Sequence, residues 1–148
     1  MQIDSSIEID AAATHVWTIY ADVERWHEWT TSVQHVVALD GPGIAVGKRF
    51  EIKQPRFPKL IWEVTEVVPG VSWSWRQRSP GGTTIATHEV VEQGSNRALV
   101  RQRIEQRGAV GVVVGLLTSR IGKRYVELEA KGLKSRSEGQ LLHDAPRD

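Results

Sequence analysis

The sequence predicts one α+β domain in which a curved antiparallel sheet packs against a long C-terminal helix around an apolar pocket. First, 148 residues with 40% hydrophobic and 25% charged content are typical of a single globular domain. Second, six strand-like runs lie between residues 32 and 107, and the short turns between them favour antiparallel pairing. Third, apolar residues recur at helical spacing from about 108 to 134.

The chain begins with a strand followed by two short helices. Residues 2–10 carry isoleucines on a single parity, which predicts a half-buried strand. Asp10 precedes three alanines and is expected to cap a helix over 11–20, because a short acidic side chain accepts free backbone N–H groups. By the same reasoning, Asp22 is expected to cap a second short helix that runs toward Trp29.

Six further strands are expected to complete a sheet of six or seven strands. Glycine, proline, serine and asparagine cluster between the strand-like runs and mark the turns. An open sheet of this size has one apolar face that another element must cover, and one long helix is available. The expected strands are 32–39, 48–53, 60–68, 71–78, 83–93 and 98–107.

The long helix is predicted by one apolar stripe with four glycines beside it. A glycine inside a helix costs about 1 kcal/mol relative to alanine, so these glycines need a reason. We favour space for a ligand, and the alternative is close packing of the helix on the strands. Polar residues without periodicity follow, so we expect a folded domain over 1–134 and a flexible tail over 135–148. The stripe is Val110, Val114, Leu117, Ile121, Tyr125 and Leu128, and the glycines are Gly108, Gly111, Gly115 and Gly122.

Composition and motifs argue against several classes of function. The net charge of +1 lacks the basic excess of a nucleic-acid binder. The absence of cysteine excludes disulfides, thiolate metal sites and a cysteine nucleophile. The histidines have no metal-ligand spacing, and neither a phosphate-binding loop nor a nucleophile elbow occurs. We therefore expect no metal and no cofactor.

The sequence also predicts a cytoplasmic protein without stable membrane insertion. No pattern of a signal peptide is visible at the N-terminus. The most apolar run, 109–117, is far shorter than the ~20 residues that span a bilayer. The sequence does not indicate an oligomeric state.

The element order and several segments resemble polyketide cyclase/dehydrase-like members of the START and birch-pollen-allergen (SRPBCC) superfamily, which share the helix-grip fold. The resemblance extends to about Gly132 and implies a pocket between sheet and long helix for a small apolar or aromatic molecule. Because such proteins bind, transport or cyclise different molecules, the resemblance specifies fold better than function. The segments are S-I-E-I-D-A (6–11), H-V-W (15–17), D-V-E-R-W-H-E-W (22–29), W-E-V-T-E-V-V-P-G (62–70), V-S-W-S-W (71–75) and T-H-E-V (87–90).

Five residues on inward parities of neighbouring strands are candidates for the pocket. Trp62, Trp73 and Trp75 are expected to form an apolar wall on which a ring can stack, although at least one of them is expected to fill the core instead. Gln77 and Gln102 share inward parities, so a buried site must satisfy their amides. The hydrogen-bond partner of each of these amides is expected to be the other glutamine, a water or a ligand.

Two further residues are candidates for polar contacts with a ligand. His88 lies on an otherwise small and apolar parity, so it is expected to point inward. There it would bond a ligand oxygen or exchange protons, or it would be a satisfied structural histidine, which is the alternative we favour. Tyr125 follows the helical stripe and would add a hydroxyl. Structural roles are expected for Trp17 on the buried face of the first helix and for Trp26 and Trp29, which would anchor the two short helices against the sheet edge; a lid at the pocket mouth is the alternative for these two.

These observations lead to three hypotheses about function. The first is binding of a small hydrophobic molecule (aromatic, polyketide-like or lipid-like) in the internal cavity between the sheet and the C-terminal helix. The second is a cyclase- or aromatase-like enzyme that uses the same cavity, with His88 as the acid or base and Gln77, Gln102 and Tyr125 as orienting groups. The third is a protein-interaction module of the co-chaperone kind, which would require a sizeable exposed apolar patch.

Overall fold

A computed structural model describes residues 1–143 and shows the predicted α+β fold. Seven antiparallel strands form one curved sheet in the order β1-β7-β6-β5-β4-β3-β2. The strands are β1 Gln2–Ile9, β2 His35–Ala38, β3 Arg49–Lys53, β4 Leu60–Val68, β5 Ser72–Ser79, β6 Gly82–Glu92 and β7 Ala98–Arg107. The helices are α1 Ala13–Tyr20, a short 3₁₀ helix Val23–Glu28, and α2 Ala109–His143.

The strand register brings several candidate residues into one row across the sheet. Trp73 on β5 lies opposite His88 on β6, and His88 lies opposite Gln102 on β7. Side chains directly opposite each other on one face are near neighbours, so these three residues lie together. All three are buried, as their parity predicts.

Neither predicted side-chain cap forms, although Asp22 does occupy the cap position of the second short helix. Helix α1 begins after Ala12, two residues beyond Asp10, and no side chain caps it. Asp10 instead donates its backbone N–H to the Glu138 carboxylate on α2 at 2.9 Å. Asp22 occupies the cap position of the 3₁₀ helix without a capping hydrogen bond, and its carboxylate pairs with Arg25 at 3.5 Å.

An aromatic cluster forms the centre of the core. Trp26 of the 3₁₀ helix is buried there, and its indole N–H donates to the Tyr20 carbonyl at 2.8 Å. Trp26 therefore has the predicted structural role, but it packs in the core and not at the sheet edge. Aromatic rings this close add to the stabilisation from burial. Ring centroids lie 5.5–5.8 Å from that of Trp26 for Tyr20, Trp29, Trp73, Trp75 and His88.

Helix α2 continues past the predicted end at Lys134 to His143. Its last turns are held by polar contacts, which a search for apolar periodicity does not detect. His15 on α1 donates through Nε2 to the Ser137 carbonyl at 3.1 Å, and Lys134 donates to the Glu8 carbonyl on β1 at 2.9 Å. The end of the predicted tail, 144–148, lies outside the described residues.

The first half of the apolar stripe predicted for α2 is exposed, and only its edge, Val110 and Val114, borders the space between helix and sheet. Leu117 is 81% exposed, and its apolar neighbours on these turns are also exposed. The buried face carries glycines first and larger side chains later, so hydrophobicity alone indicates the wrong side. The exposed residues, called the apolar patch below, are Val110, Val113, Val114, Leu116 and Leu117.

Close backbone contacts fix α2 near both ends. A Cβ atom at Gly82 on β6 would lie 2.6 Å from the Gly111 Cα, so the two backbones touch. A Cβ atom at Gly132 would overlap the Trp29 carbonyl oxygen. Close packing also explains Gly115, where a Cβ atom would lie 2.7 Å from Gln106 Cγ, whereas at Gly122 the nearest atom would be Ile3 Cδ1 at 3.3 Å. Gly111, Gly115 and Gly122 all line the cavity described next, so both expected reasons apply to the glycines of α2.

Candidate functional site

A cavity of about 300 Å³ lies between the sheet and α2. We call it the main cavity. Helix α2 packs on β1, β6 and β7, whereas β4, β5 and the β3–β4 loop (54–59) close the other side. Exposed residues mark its mouth, and the buried Val126 and Glu129 of α2 mark its inner end. The mouth residues are Pro58, Ser79, Pro80, Val110 and Val114.

A smaller inner cavity of about 60 Å³ lies beneath the aromatic cluster. Its lining includes Trp26, Trp75, His88 and Gln102. The two cavities have four lining residues in common, and Glu129 is the only carboxylate among them. Glu129 therefore stands where the two spaces meet. The shared residues are Gln54, Trp62, Ile104 and Glu129.

The three predicted wall tryptophans have different positions. Trp62 lines both cavities and Trp75 lines the inner one. Trp73 lines neither, and its ring stacks on His88 with centroids 3.8 Å apart and an interplanar angle of 14°. Trp73 therefore fills the core, as expected for at least one of the three.

The two candidate glutamines do not meet. Gln77 lines the main cavity, and its Nε2 donates to the Arg78 carbonyl at 2.9 Å and to Ser79 Oγ at 2.6 Å. Gln102 Nε2 donates to Glu129 Oε1 at 3.3 Å, while Gln102 Oε1 is buried without a partner among the described residues. Gln77 is thus satisfied locally, whereas Gln102 retains a free acceptor beside the cavities.

His88 is a buried neutral imidazole. It is 3% exposed, and its Nδ1 donates to the Trp73 carbonyl at 3.3 Å. Burial lowers the pKa of His88 to about 3, and the bond to the carbonyl only partly opposes this effect. A histidine with this pKa does not exchange protons near pH 7, which favours the structural alternative.

The Tyr125 hydroxyl holds a loop and does not point to free space. It donates to the Pro55 carbonyl, and the Tyr125 ring meets Phe57 edge-on with centroids 5.8 Å apart. The ring still lines the main cavity. Tyr125 therefore connects α2 to the β3–β4 loop on one side of the mouth.

Glu129 is a further candidate site residue, which was not among those predicted from the sequence. It is 8% exposed, and burial raises its pKa to about 8, although the hydrogen bond from Gln102 opposes the shift. The carboxyl is therefore mostly protonated at pH 7. A signal for it exists in the sequence: Val126, Glu129 and Leu133 share a helix face at spacings of three and four.

The Tyr20 hydroxyl is a second unpartnered group in this region. It is buried and has no hydrogen-bond partner among residues 1–143. Burial raises the pKa of Tyr20 well above its ordinary range, the Glu129 carboxyl adds to the shift, and the nearby Gln102 side chain opposes it. The inner end of the site thus carries neutral polar groups.

The lining chemistry limits what the site can bind. None of the described residues lining the main cavity is lysine or arginine. No group of three or more potential metal ligands occurs within the described part of the chain. Likewise, no helix in residues 1–143 is long and apolar enough to cross a membrane. The site is an apolar cavity with uncharged hydrogen-bonding groups at its inner end.

Comparisons with known proteins agree with this architecture. Residues 1–138 match the family described as polyketide cyclase / dehydrase and lipid transport. A search of curated protein sequences finds no significant match.

Three solved structures illustrate the shared fold. The Zhui aromatase/cyclase from Streptomyces sp. R1128 is 12% identical with a TM-score of 0.75, covering 95% of each chain. A START superfamily protein from Mycobacterium smegmatis is 18% identical with a TM-score of 0.72, covering 94% of this chain and 98% of its own. Norcoclaurine synthase from Thalictrum flavum is 17% identical with a TM-score of 0.70, and the match covers 99% of this chain and 89% of the synthase. At these identities the likeness shows the helix-grip fold alone.

Proposed function

Because the chain belongs to the polyketide cyclase/dehydrase and lipid transport family, we propose that it binds a small, largely apolar molecule in the main cavity. The observation that carries the proposal is a cavity of about 300 Å³ with an apolar lining and an open mouth. Ligand sites in proteins are concave and mostly apolar, with a few polar groups that orient the ligand.

The size of the cavity narrows the ligand class. A volume of about 300 Å³ is at the lower end of the range for ligand sites, which favours a molecule of one or two rings over a long-chain lipid. The norcoclaurine synthase structure contains dopamine and hydroxybenzaldehyde, which are single-ring compounds. A small aromatic or polyketide-like molecule is therefore the ligand we propose.

A panel of small aromatic compounds tests this proposal by thermal shift and native mass spectrometry. We expect at least one compound to raise Tm and to be retained in the complex. Ser119→Trp places an indole in the main cavity and should abolish the shift, whereas Leu117→Trp on the exposed face should preserve it. The proposal fails if no compound binds, or if Ser119→Trp binds as well as the wild type.

An enzyme that uses the same cavity is a second candidate, favoured by Glu129. General acids work best when their pKa lies near the working pH, and the pKa of about 8 for Glu129 meets this condition. In an intramolecular aldol reaction, water takes the α-proton, and the enolate carbon then bonds to the second carbonyl carbon while the C=O π bond becomes an alkoxide. A protonated Glu129 would give its proton to this alkoxide, and the hydronium that carries the α-proton would reprotonate the Glu129 carboxylate. The test follows an intramolecular aldol reaction of a short polyketone, with Glu129→Gln as the variant. A rate equal to that without protein would exclude this candidate.

A further inference from the structure

We propose that Glu129, in its protonated form, donates a hydrogen bond to a neutral carbonyl oxygen at the inner end of the bound ligand. The site then prefers neutral carbonyl compounds to both hydrocarbons and carboxylates. This inference rests on the proposed binding function and adds the chemical class of the ligand.

The first argument is the position of Glu129 where the two cavities meet. One carboxyl oxygen accepts from Gln102 Nε2 at 3.3 Å, and no other hydrogen bond of this carboxyl is found among the described residues. A protonated carboxyl also has one O–H to donate. Because the carboxyl borders both cavities, a ligand in the main cavity can supply the acceptor.

The second argument is the unsatisfied polarity around this carboxyl. Gln102 Oε1 and the Tyr20 hydroxyl are both buried, and neither makes a hydrogen bond of good geometry among residues 1–143, although the Gln102 side chain lies close enough to Tyr20 to lower the pKa of its hydroxyl. Buried polar groups are nearly always hydrogen-bonded, so groups left unpaired beside a cavity indicate a ligand or water that completes them. Tyr20 lines neither cavity, so the donor available to a ligand carbonyl oxygen is the Glu129 O–H.

The third argument is the charge of the surroundings. The titratable groups that face Glu129 are Tyr20 from α1 and His88 from β6, and burial keeps both neutral at pH 7. On α2 itself, the Tyr125 hydroxyl already donates its hydrogen bond to the Pro55 carbonyl. Arg103, which borders the inner cavity, pairs with Asp4 at 2.8 Å on the exposed side. A ligand carboxylate would therefore be buried without a cation, which is strongly unfavourable.

The fourth argument is the size of the inner cavity. At about 60 Å³ the inner cavity has a fifth of the volume of the main cavity. The main cavity therefore takes the bulk of the ligand, and the inner cavity takes a small group at its end. The end of the ligand that reaches Glu129 is therefore small, as in an aryl methyl ketone or an aryl aldehyde.

The test compares three naphthalenes of similar size by isothermal titration at a pH of about 6.5. The probes are 2-acetylnaphthalene, 2-ethylnaphthalene and 2-naphthoate. We expect the ketone to bind about fivefold more tightly than the hydrocarbon, because one net hydrogen bond contributes about 1 kcal/mol and 1.4 kcal/mol is a factor of ten. The carboxylate should bind at least about tenfold more weakly than the ketone.

Two substitutions and a change of pH identify the donor. Glu129→Leu removes the O–H and should abolish the preference for the ketone while the hydrocarbon still binds. Glu129→Gln keeps an N–H donor, so its preference should be the same at pH values of about 6.5 and 9. The wild type should lose its preference at the higher pH, because ionised Glu129 has no proton to donate.

Each outcome separates this inference from the binding function. If ketone and hydrocarbon bind equally to the wild type, the O–H is used internally and the inference is overturned, although the cavity still binds ligands. A preference that survives in Glu129→Leu, or a carboxylate that binds as tightly as the ketone, also overturns it. If neither neutral probe binds, both the inference and the binding function fail for two-ring ligands.

Discussion

The buried Glu129 carboxyl should make the folded state less stable as the pH rises. Its pKa is about 8 in the folded protein and near 4.5 when unfolded. Between these values the folded chain binds one proton more than the unfolded chain, so the free energy of unfolding falls with increasing pH. Over about 3.5 pH units, at 1.36 kcal/mol each, the complete loss is about 5 kcal/mol.

His88 sets the pH range in which this loss can be measured. Its pKa is about 3 when folded against 6.5 when unfolded, so between these values the unfolded chain binds the extra proton. Stability gained from His88 as the pH rises therefore offsets the loss from Glu129 below a pH of about 6.5. Above that value Glu129 alone of these two groups contributes, and its effect on the free energy of unfolding should be a fall of about 2 kcal/mol up to a pH of about 8.

Urea unfolding followed by tryptophan fluorescence measures this dependence. The wild type should lose stability across this range, whereas Glu129→Gln, which stays neutral, should be nearly constant and more stable than the wild type at the upper end. Glu127→Gln on the exposed face of the same helix is the control and should retain the wild-type slope. Equal slopes for the wild type and Glu129→Gln would refute the assignment of a protonated, buried Glu129.

Three further predictions concern stability. Gly132→Ala should lower the free energy of unfolding by about 2 kcal/mol or more, because its Cβ overlaps the neighbouring backbone. Gly139→Ala is the control: its Cβ meets nothing within 4 Å, so it should stabilise α2 by up to about 1 kcal/mol. Equal effects of the two substitutions in denaturant titrations would contradict the contact at Gly132. Tyr125→Phe should cost about 1 kcal/mol through loss of the bond to Pro55, and a stability equal to the wild type would argue against that bond. Leu117→Ser should change the free energy of unfolding by less than about 0.5 kcal/mol, since the side chain is exposed; a cost near that of a buried leucine would show that the apolar patch is covered.

The strands could be predicted well because their signal is local. Alternating side chains define β4 and β7 to the residue, and parity alone places Gln77, His88 and Gln102 on the buried face. The family resemblance then supplies the order in which sheet and helix enclose a cavity.

The orientation of α2 and the identity of the buried acid could not be predicted in this way. The side of α2 that faces the sheet depends on the contact between the backbones of Gly111 and Gly82. These residues are far apart in sequence, and glycine has no side chain, so a hydrophobic pattern does not reveal the contact. Trp73 is excluded from the cavity because Trp26, from the 3₁₀ helix, packs against it. Glu129 is buried by the same tertiary arrangement, so its pKa depends on neighbours that sequence spacing does not reveal.

The two backbone contacts that fix α2 have a consequence for how this protein can evolve. The spacing of the helix from the sheet depends on Gly82, Gly111 and Gly132, whereas other positions between these contacts shape the cavity. Mutations at those positions alter the accepted ligand without shifting the helix, so selection can act on specificity and on architecture separately. Such a division is consistent with a fold that persists among proteins only 12–18% identical to this chain. The cavity-shaping positions on α2 are Thr118, Ser119, Gly122 and Val126.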